Sequence, residues 1–170
     1  MGTSPEDLQS LCEELLDACV ESLETIPDFA PGLGGAPERR YISPGQSADD
    51  CCPQLTVWAQ AIGDSPNSPG QATGKSPAQV NLISLVARIT RCVNGDFKPP
   101  VEDMTAASEQ MNADGWALRN HLYAMWKADQ LFMMCSEVFW DGLRAMTPSG
   151  GCVGWNLFVR VELDGYQEEA

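Results

Sequence analysis

The sequence predicts an α+β fold with an N-terminal helix, an antiparallel or mixed β-sheet of about four strands, a long helix and a C-terminal strand. Two patterns support this prediction. Apolar residues recur at helical spacing near the N-terminus and again after residue 101, and they alternate with polar residues in the stretches between and after these helices. With 170 residues the chain has the length of one domain with a substantial core, so we expect a single domain over residues 1–170.

The first predicted helix begins at residue 4. Ser4 is a favoured N-cap residue, Pro5 suits the first helical position, and Asp7 is placed to complete a capping box. Apolar side chains then share one side of the helix. They are Leu8, Leu11, Cys12, Leu15, Cys19, Leu23 and Ile26. Pro27 is expected to end the helix, and because no Lys or Arg occurs before Arg39, its outer face is acidic.

Two strands are predicted in the middle of the chain, over residues 54–62 and 80–93, because apolar and polar residues alternate there. A shorter strand is expected at residues 39–42. The 17 residues at positions 63–79 connect the two longer strands and are rich in Pro and Gly. Hairpins usually use about 2 to 5 residues, and a loop of this length is usually either functional or disordered. We expect it to be exposed and to act either as a contact element or as a passive linker.

A long helix is predicted over residues 102–146, after two prolines. Its second half, LFMMCSEVFWDGLRAM, is apolar on nearly all sides. Such a segment is either buried or in contact with another subunit.

The most regular alternation lies near the end of the chain, in the stretch GGCVGWNLFVRVEL at residues 150–163. One face of this predicted strand is apolar. It consists of Val153, Trp155, Leu157, Val159, Val161 and Leu163. We therefore expect this strand to bury that face, with Asn156, Arg160 and Glu162 on the other, and the two glycines before it to allow the chain to turn.

The composition excludes several classes of function. The formal net charge is −14 with only 10 Lys and Arg residues, so clamping of nucleic-acid phosphates is not the main activity. An acidic surface repels DNA, or simply keeps the protein soluble. No apolar run approaches the roughly 20 residues that span a bilayer, and the first residues lack the order of a secretory signal. We expect a cytosolic product with no membrane partner.

No arrangement of residues predicts an active site, so we expect no catalytic residue. The sequence contains no G-x-S-x-G, phosphate-binding loop, dinucleotide-binding glycine pattern or H-E-x-x-H. The single histidine, His121, lies in an apolar helical context. The carboxylates are numerous, but they show no isolated pair in an apolar stretch.

The seven cysteines do not match a metal-binding template, since no C-x-x-C pair occurs among them. We expect no metal and no cofactor. Cys52, Cys92 and Cys152 lie on or beside predicted strands and could meet across a sheet, which leaves their oxidation state open.

Four features follow one another in a distinctive order. They are an acidic N-terminal helix, RRYISPG leading to DDCCPQLTVWAQAIG, then VNLISLVARITRCVN, and a long helix before GGCVGWNLFVRVEL. In this order they resemble the tail terminator and head-to-tail connector proteins of long-tailed phages, especially phages of actinobacteria. In that family a P-G…DCC-QL-V segment, an LEV-V-RC strand and a GGC-GW-V-V ending recur. The resemblance spans roughly residues 30–163, its closing motif is the most specific part, and the family's middle helix is usually shorter than residues 102–146.

The resemblance implies a non-enzymatic virion protein of the phage tail or neck that assembles in the host cytoplasm into a ring, commonly a hexamer. Such a ring terminates the tail tube and joins it to the head connector. The implied partners are other copies of the chain, the tail tube protein and the connector or stopper protein, while DNA passes through the channel without specific binding. The residues predicted at a subunit or tube interface are Asp64, Asn67 and Lys75 near or in the long loop and Arg160 on the last strand.

Three other functions fit the sequence. The first is an adaptor or stopper ring between the portal and the terminator. The second is a small cytosolic protein-binding module whose apolar residues 131–146 hold a partner helix. The third is a cysteine-based redox or metal protein. A ring would be one high-mass species in solution, whereas a module would stay monomeric until its partner is added.

Overall fold

Two long helices pack on one face of a five-stranded sheet in the computed structural model of the chain, which describes residues 4–46, 53–64, 80–96, 98–146 and 151–164. The elements are α1 (Pro5–Glu24), α2 (Ile26–Phe29), β1 (Arg39–Ile42), β2 (Gln54–Asp64), β3 (Val80–Cys92), α3 (Val101–Lys127), β4 (Glu137–Ala145) and β5 (Cys152–Asp164). This order confirms the predicted α+β class. No helix in the described part of the chain is long and apolar enough to cross a membrane.

The sheet is mixed, with the strand order β1-β2-β3-β5-β4. β1 pairs with β2 in parallel, and every other neighbouring pair is antiparallel. β3 and β5, each 13 residues long, pair along their whole length. The predicted closing strand therefore lies inside the sheet, and the two edges are β1 and β4.

α1 begins as predicted, with a reciprocal capping box. The Asp7 amide donates to Ser4 Oγ at 3.2 Å, and the Ser4 amide donates to the Asp7 carboxylate at 2.8 Å. The helix ends at Glu24, earlier than the proline expected to stop it. Pro27 instead lies in the first turn of the short α2, where its missing amide hydrogen costs no helical hydrogen bond.

The core lies between the two long helices and one face of the sheet. The helices contribute Leu11, Leu15, Leu23, Leu118 and Leu122, and the strands contribute Leu55, Val57, Ile83, Leu85, Ile89, Leu157, Val159 and Val161. The alternation predicted for β5 is confirmed, because five of its six apolar residues are buried and Trp155 is half-buried. Burial of each large apolar side chain stabilises the fold by about 1.5–3 kcal/mol.

Trp155 joins β5 to α3. Its indole Nε1 donates to the Met111 carbonyl oxygen at 2.8 Å. The ring lies so close to Gly115 that an added Cβ there would come within 3.1 Å of it. Gly115, which interrupts the apolar stripe of α3, thus gives the ring its place against the helix. Gly151 has a φ of +80°, which confirms the expected turn into β5, while Gly150 lies outside the described residues.

The predicted helix over residues 102–146 is wrong in its second half. α3 ends at Lys127, and residues 137–145 form the edge strand β4. Asp129 and Phe132 have φ values of 55° and 57°, left-handed conformations that a right-handed helix cannot continue through. The Phe132 amide donates to the Glu14 carboxylate of α1 at 2.6 Å, so a contact between distant parts of the chain holds this turn.

The side chains of β4 alternate between the two faces of the sheet, but a bulge interrupts the alternation, so the sequence does not show it clearly. Val138 and Trp140 pack toward the core, and Phe139 lies on the opposite face beside Arg160. The register then shifts between Trp140 and Gly142, where Gly142 has a φ of +99°. Because β4 was predicted as part of a helix, the sheet has five strands where about four were expected.

The predicted loop at residues 63–79 lies mostly outside the described residues. β2 extends to Asp64 and β3 begins at Val80, so positions 63 and 64 belong to a strand and not to a loop. The prediction of an exposed, functional loop stays a prediction for residues 65–79.

Candidate functional site

The sheet has a second face, opposite the helices, which we call the back face. The strand registers place there the side chains that alternate with the core residues. They include Arg39, Tyr41, Thr56, Trp58, Val86, Arg88, Phe139, Arg144, Asn156, Phe158 and Arg160. Several are large and apolar, although no helix in the described part of the chain covers this face. A face of this composition is typical of a surface that contacts another polypeptide.

Four arginines of the back face each stack on an aromatic ring. The distances from guanidinium carbon to ring centroid are 5.5 Å for Arg39 and Tyr41, 5.3 Å for Arg88 and Trp58, 5.0 Å for Arg144 and Phe158, and 5.0 Å for Arg160 and Phe139. The aromatic ring attracts the cation and limits the conformations of a long side chain. The back face therefore presents fixed guanidinium groups in a chain that has only 10 Lys and Arg residues.

The part of the back face on β2 and β3 is buried and polar. Arg88 is 7% exposed, and its Nε donates to the Asn156 side-chain oxygen at 2.8 Å. Gln54 and Thr56 are also buried, and Gln54 Oε1 and Thr56 Oγ1 accept no hydrogen bond. Such groups are too deep to meet a large partner directly.

The part of the back face on β4 and β5 is accessible. Arg144 is exposed, and the rings of Phe139 and Phe158 are half-buried. Arg160 makes two hydrogen bonds to the carboxylate of Asp141, from Nε at 2.6 Å and from Nη2 at 3.0 Å. β4 is an edge strand, so this accessible region continues to the edge of the sheet.

A cleft of about 350 Å³ lies between the back face and the turn that follows β1. It is lined by Pro44, Gly45, Gln46, Trp58, Ala59, Gln60, Val86, Arg88, Asn156 and Phe158. The described side chains of the lining offer aromatic rings, amides and one buried guanidinium, which suit the binding of a planar or polar group.

The structure brings only part of the predicted interface together. Arg160 lies on the back face as predicted from the alternation of β5. Asp64 is the last residue of β2, and Asn67 and Lys75 lie outside the described residues. Sequence reasoning missed Arg39, Arg88 and Arg144 as members of the same surface. The alternation of β3 could have placed Arg88 on this face. Arg144 could not be placed there, because its segment was predicted to be helical.

His121 has a structural environment. Its Nδ1 lies 3.0 Å from Ser22 Oγ, and that hydroxyl donates to the Ala18 carbonyl oxygen at 2.7 Å. The hydroxyl hydrogen is used in this way, so the imidazole Nδ1–H is the donor to Ser22. Among the described residues no group of three His, Cys, Asp or Glu side chains is arranged to hold a metal ion.

One carboxylate, Asp114, is buried, which the sequence did not indicate. This residue is fully buried beside Arg91, whose Nε and Nη2 donate to the carboxylate at 3.0 and 2.8 Å. Burial raises the pKa of Asp114, against the lowering effect of Arg91 and Gln110. Arg91 also donates to the Gly35 carbonyl oxygen at 2.7 Å. The pair connects β3, α3 and the segment after α2, away from the back face.

The cysteines are divided between thiols and a disulfide. Cys12, Cys19, Cys92 and Cys135 are thiols, and Cys152 is in a disulfide. Cys92 and Cys152 face each other in the register of β3 and β5. Burial raises the pKa of the Cys19 and Cys135 thiols to about 12, and the nearby Glu14 carboxylate adds to the effect at Cys135.

These raised pKa values predict selective alkylation. Only the thiolate reacts, so at pH 8 a thiol with a pKa of about 12 has roughly one molecule in ten thousand in the reactive form. With iodoacetamide, Cys19 and Cys135 should stay unmodified over a time that modifies the exposed Cys92, as measured by peptide mass mapping of the folded protein. Equal modification of Cys135 and Cys92 would contradict the environment described for Cys135.

The comparisons with known proteins do not assign a family. A scan of the chain against protein-family models finds no match, and a search of the curated proteins finds none.

Proposed function

We propose that the protein is a non-enzymatic structural subunit of a phage tail, which assembles into a ring that terminates the tail tube and joins it to the head connector. The observation that supports this proposal best is the back face. Its part on β4 and β5 is accessible and carries half-buried aromatic rings with arginines stacked on them, a combination common in protein–protein interfaces.

The resemblance to tail terminator proteins is compatible with the fold. The closing motif lies on β5, inside the sheet, where its glycine and apolar residues are required for packing. α3 ends at Lys127, and a middle helix shorter than residues 102–146 is compatible with that family.

The acidic surface suits a channel for DNA. α1 contains seven carboxylates and no Lys or Arg, and most of these side chains are exposed. A wall with this charge repels the phosphate backbone, so DNA moves past it without adhering. In the proposed ring, the acidic side chains not used in subunit contacts flank the channel.

The disulfide at Cys152 also suits a virion protein. Disulfides persist in oxidising surroundings, including the surfaces of virions, and are rare in the cytosol. The chain would assemble in the host cytoplasm with Cys152 reduced and would become oxidised after release of the particle.

The proposal is tested by electron microscopy and sedimentation of the purified protein, alone and with polymerised tail tube protein. We expect one high-mass species with a central hole, and gold-labelled protein bound at one end of each tube. A protein that stays monomeric both alone and with tubes would overturn the proposed ring.

The same experiment separates the related functions. A stopper or adaptor would form a ring that does not bind the end of a bare tube. The binding module proposed from residues 131–146 has lost part of its basis, because Leu131 and Phe132 are buried in the core and residues 137–145 are a strand. A monomer that binds a single partner protein would restore that alternative.

A further inference from the structure

Two cysteines in different chemical states lie opposite each other at one end of the sheet. Cys92 is the last residue of β3 and Cys152 is the first residue of β5, and the register of the two strands pairs them. Cys92 is an exposed thiol, whereas Cys152 is in a disulfide and is only 7% exposed. The two are therefore not bonded to each other. A nucleophilic side chain faces a disulfide sulfur across one strand spacing.

The backbone hydrogen bonds show how close the two cysteines lie. The Val93 amide donates to the Gly151 carbonyl oxygen at 2.7 Å, so the next pair along the ladder is a hydrogen-bonded one. The two kinds of pair alternate between antiparallel strands, which makes Cys92 and Cys152 a non-hydrogen-bonded pair. The Cα atoms of such a pair are about 4.5 Å apart. A disulfide usually joins Cα atoms about 4.4 to 6.8 Å apart, so the ladder permits a bond between these two residues.

The two side chains also share one face of the sheet. Cys92 follows Arg88 by four residues on β3, and Cys152 precedes Asn156 by four residues on β5, so the alternation places both cysteines on the back face. Residues directly opposite each other on one face have the closest side chains in a sheet, and those of a non-hydrogen-bonded pair are closer still. The sulfur atoms of Cys92 and Cys152 are thus within reach of each other without a change of register.

We propose that Cys92 and Cys152 form a thiol–disulfide exchange site, in which Cys152 alternates between two disulfides. The Cys92 thiolate attacks Cys152 Sγ and forms a new S–S bond. The bond from Cys152 to its present partner breaks, and that partner leaves as a thiolate, which takes up the proton that Cys92 had lost. The numbers of disulfides and thiols do not change, so the step needs no oxidant and no reductant. This inference goes beyond the proposed ring and does not depend on it.

Cys92 is the one of the four described thiols that is placed for this reaction. Cys12 and Cys19 are part of the core, and Cys135 packs against it, so these three lie on the helix side of the sheet. Burial also raises the pKa of the Cys19 and Cys135 thiols to about 12, which leaves little thiolate. Cys152 is too buried to meet a thiol from solution easily, whereas a thiol held beside it on the next strand acts at a high effective concentration.

The exchange changes what the disulfide joins. In its product the bond links the end of β3 to the start of β5, directly beside Gly151, whose φ of +80° turns the chain into β5. One sulfur of this bond belongs to Cys92, which is exposed, so a thiol from solution can attack it there. The exchange thus moves the bond of a buried cysteine to a position that is open to reduction.

The experiment maps disulfides in the unmodified full chain after incubation at about pH 8.5 without added thiol, where thiolates form and exchange proceeds. Acid then stops the exchange, N-ethylmaleimide blocks the remaining thiols, and pepsin digests the chain at low pH. Mass spectrometry measures the peptides that a disulfide links. We expect the link between Cys92 and Cys152 to be at least about tenfold more abundant than any link of Cys92 to Cys12, Cys19 or Cys135.

The matched control is the double variant Cys92→Ser with Val93→Cys. It keeps the number of cysteines and moves the thiol by one residue, which places it on the opposite face of the sheet. We expect its link from position 93 to Cys152 to be at least about tenfold weaker than the link from Cys92 in the unmodified chain. Circular dichroism checks that the variant is folded. If it is not, the unmodified chain in concentrated urea takes its place, because loss of the register should remove the preference of Cys92 for Cys152.

Two results would overturn the exchange site. The first is a link between Cys92 and Cys152 that is no more abundant than the links of Cys92 to the other thiols. The second is an equal yield from the control, since the position of the thiol on the ladder would then not matter. The measurement does not involve the ring. A chain that exchanges but forms no ring contradicts only the proposed function, and a ring without exchange contradicts only this inference.

Discussion

Leu157→Asp should leave the chain unfolded at 25 °C. Leu157 is 2% exposed in the core, on β5 between β3 and β4. The change removes about 1.5–3 kcal/mol of apolar burial and buries a carboxylate with no partner, at a further cost of several kcal/mol. Together these costs approach the whole stability of a typical domain, about 5–15 kcal/mol. Far-ultraviolet circular dichroism and urea titration measure the result.

Asn156→Asp is the matched control for this variant. It introduces the same carboxylate one residue earlier, on the opposite face of the strand. There the Asn156 side-chain oxygen already accepts from Arg88 Nε at 2.8 Å, so a carboxylate gains an ion pair. We expect this variant to fold with a urea midpoint close to that of the unmodified chain. Similar unfolding curves for the two variants would contradict the division of β5 into a core face and a back face.

The elements predicted correctly are those in which a local pattern and tertiary packing agree. β5 alternates without interruption in sequence, and both of its neighbours pair with it along most of its length. α1 has a capping box within four residues of sequence and a continuous apolar stripe. Short-range chemistry is sufficient to define such elements.

The segment after α3 was not predictable in the same way. Its apolar residues fit a helix and a strand equally well until the bulge at Gly142 is known. The end of the helix depends on left-handed conformations at Asp129 and Phe132, which are non-glycine residues that rarely adopt them. The Glu14 carboxylate that binds the Phe132 amide comes from the other end of the chain. No local pattern contains that information.

The candidate site was predictable only one strand at a time. The period of β5 placed Arg160 on the back face, but its partners on that face come from β4. The stack of Arg88 on Trp58 depends on the register between β2 and β3. The buried Asp114 was missed for the same reason, since its partner Arg91 is on a different element. Registers between strands and contacts between layers are properties of the folded chain.

The second large effect is expected at this buried pair. Arg91→Met removes the cation and leaves the fully buried Asp114 carboxylate without its main partner. Removing one member of a buried ion pair costs about 3–5 kcal/mol, which should appear as a much lower urea midpoint. The double variant Arg91→Met with Asp114→Leu replaces both charges by apolar groups of similar size. The double variant should recover most of this loss. Its unfolding free energy should stay about 1 kcal/mol below that of the unmodified chain, because the Gly35 carbonyl oxygen has lost its hydrogen-bond donor.

The variant Arg91→Met should have a lower unfolding free energy than the unmodified chain, and this difference, which we call its deficit, should also depend on pH. Burial raises the pKa of Asp114, and loss of Arg91 removes the largest opposing effect, so the folded variant holds a proton on this carboxyl more tightly than the unfolded chain does. A carboxyl group whose folded pKa is raised favours folding below its unfolded pKa of about 3.9, and this contribution is lost as the pH rises through the folded pKa. The deficit should therefore shrink as the pH is lowered from about 7 to about 4.5, measured as the difference in unfolding free energy from the unmodified chain at each pH. A deficit that is constant over this range, or that the double variant shares, would show that Arg91 stabilises the fold through the packing of its side chain and not through its charge.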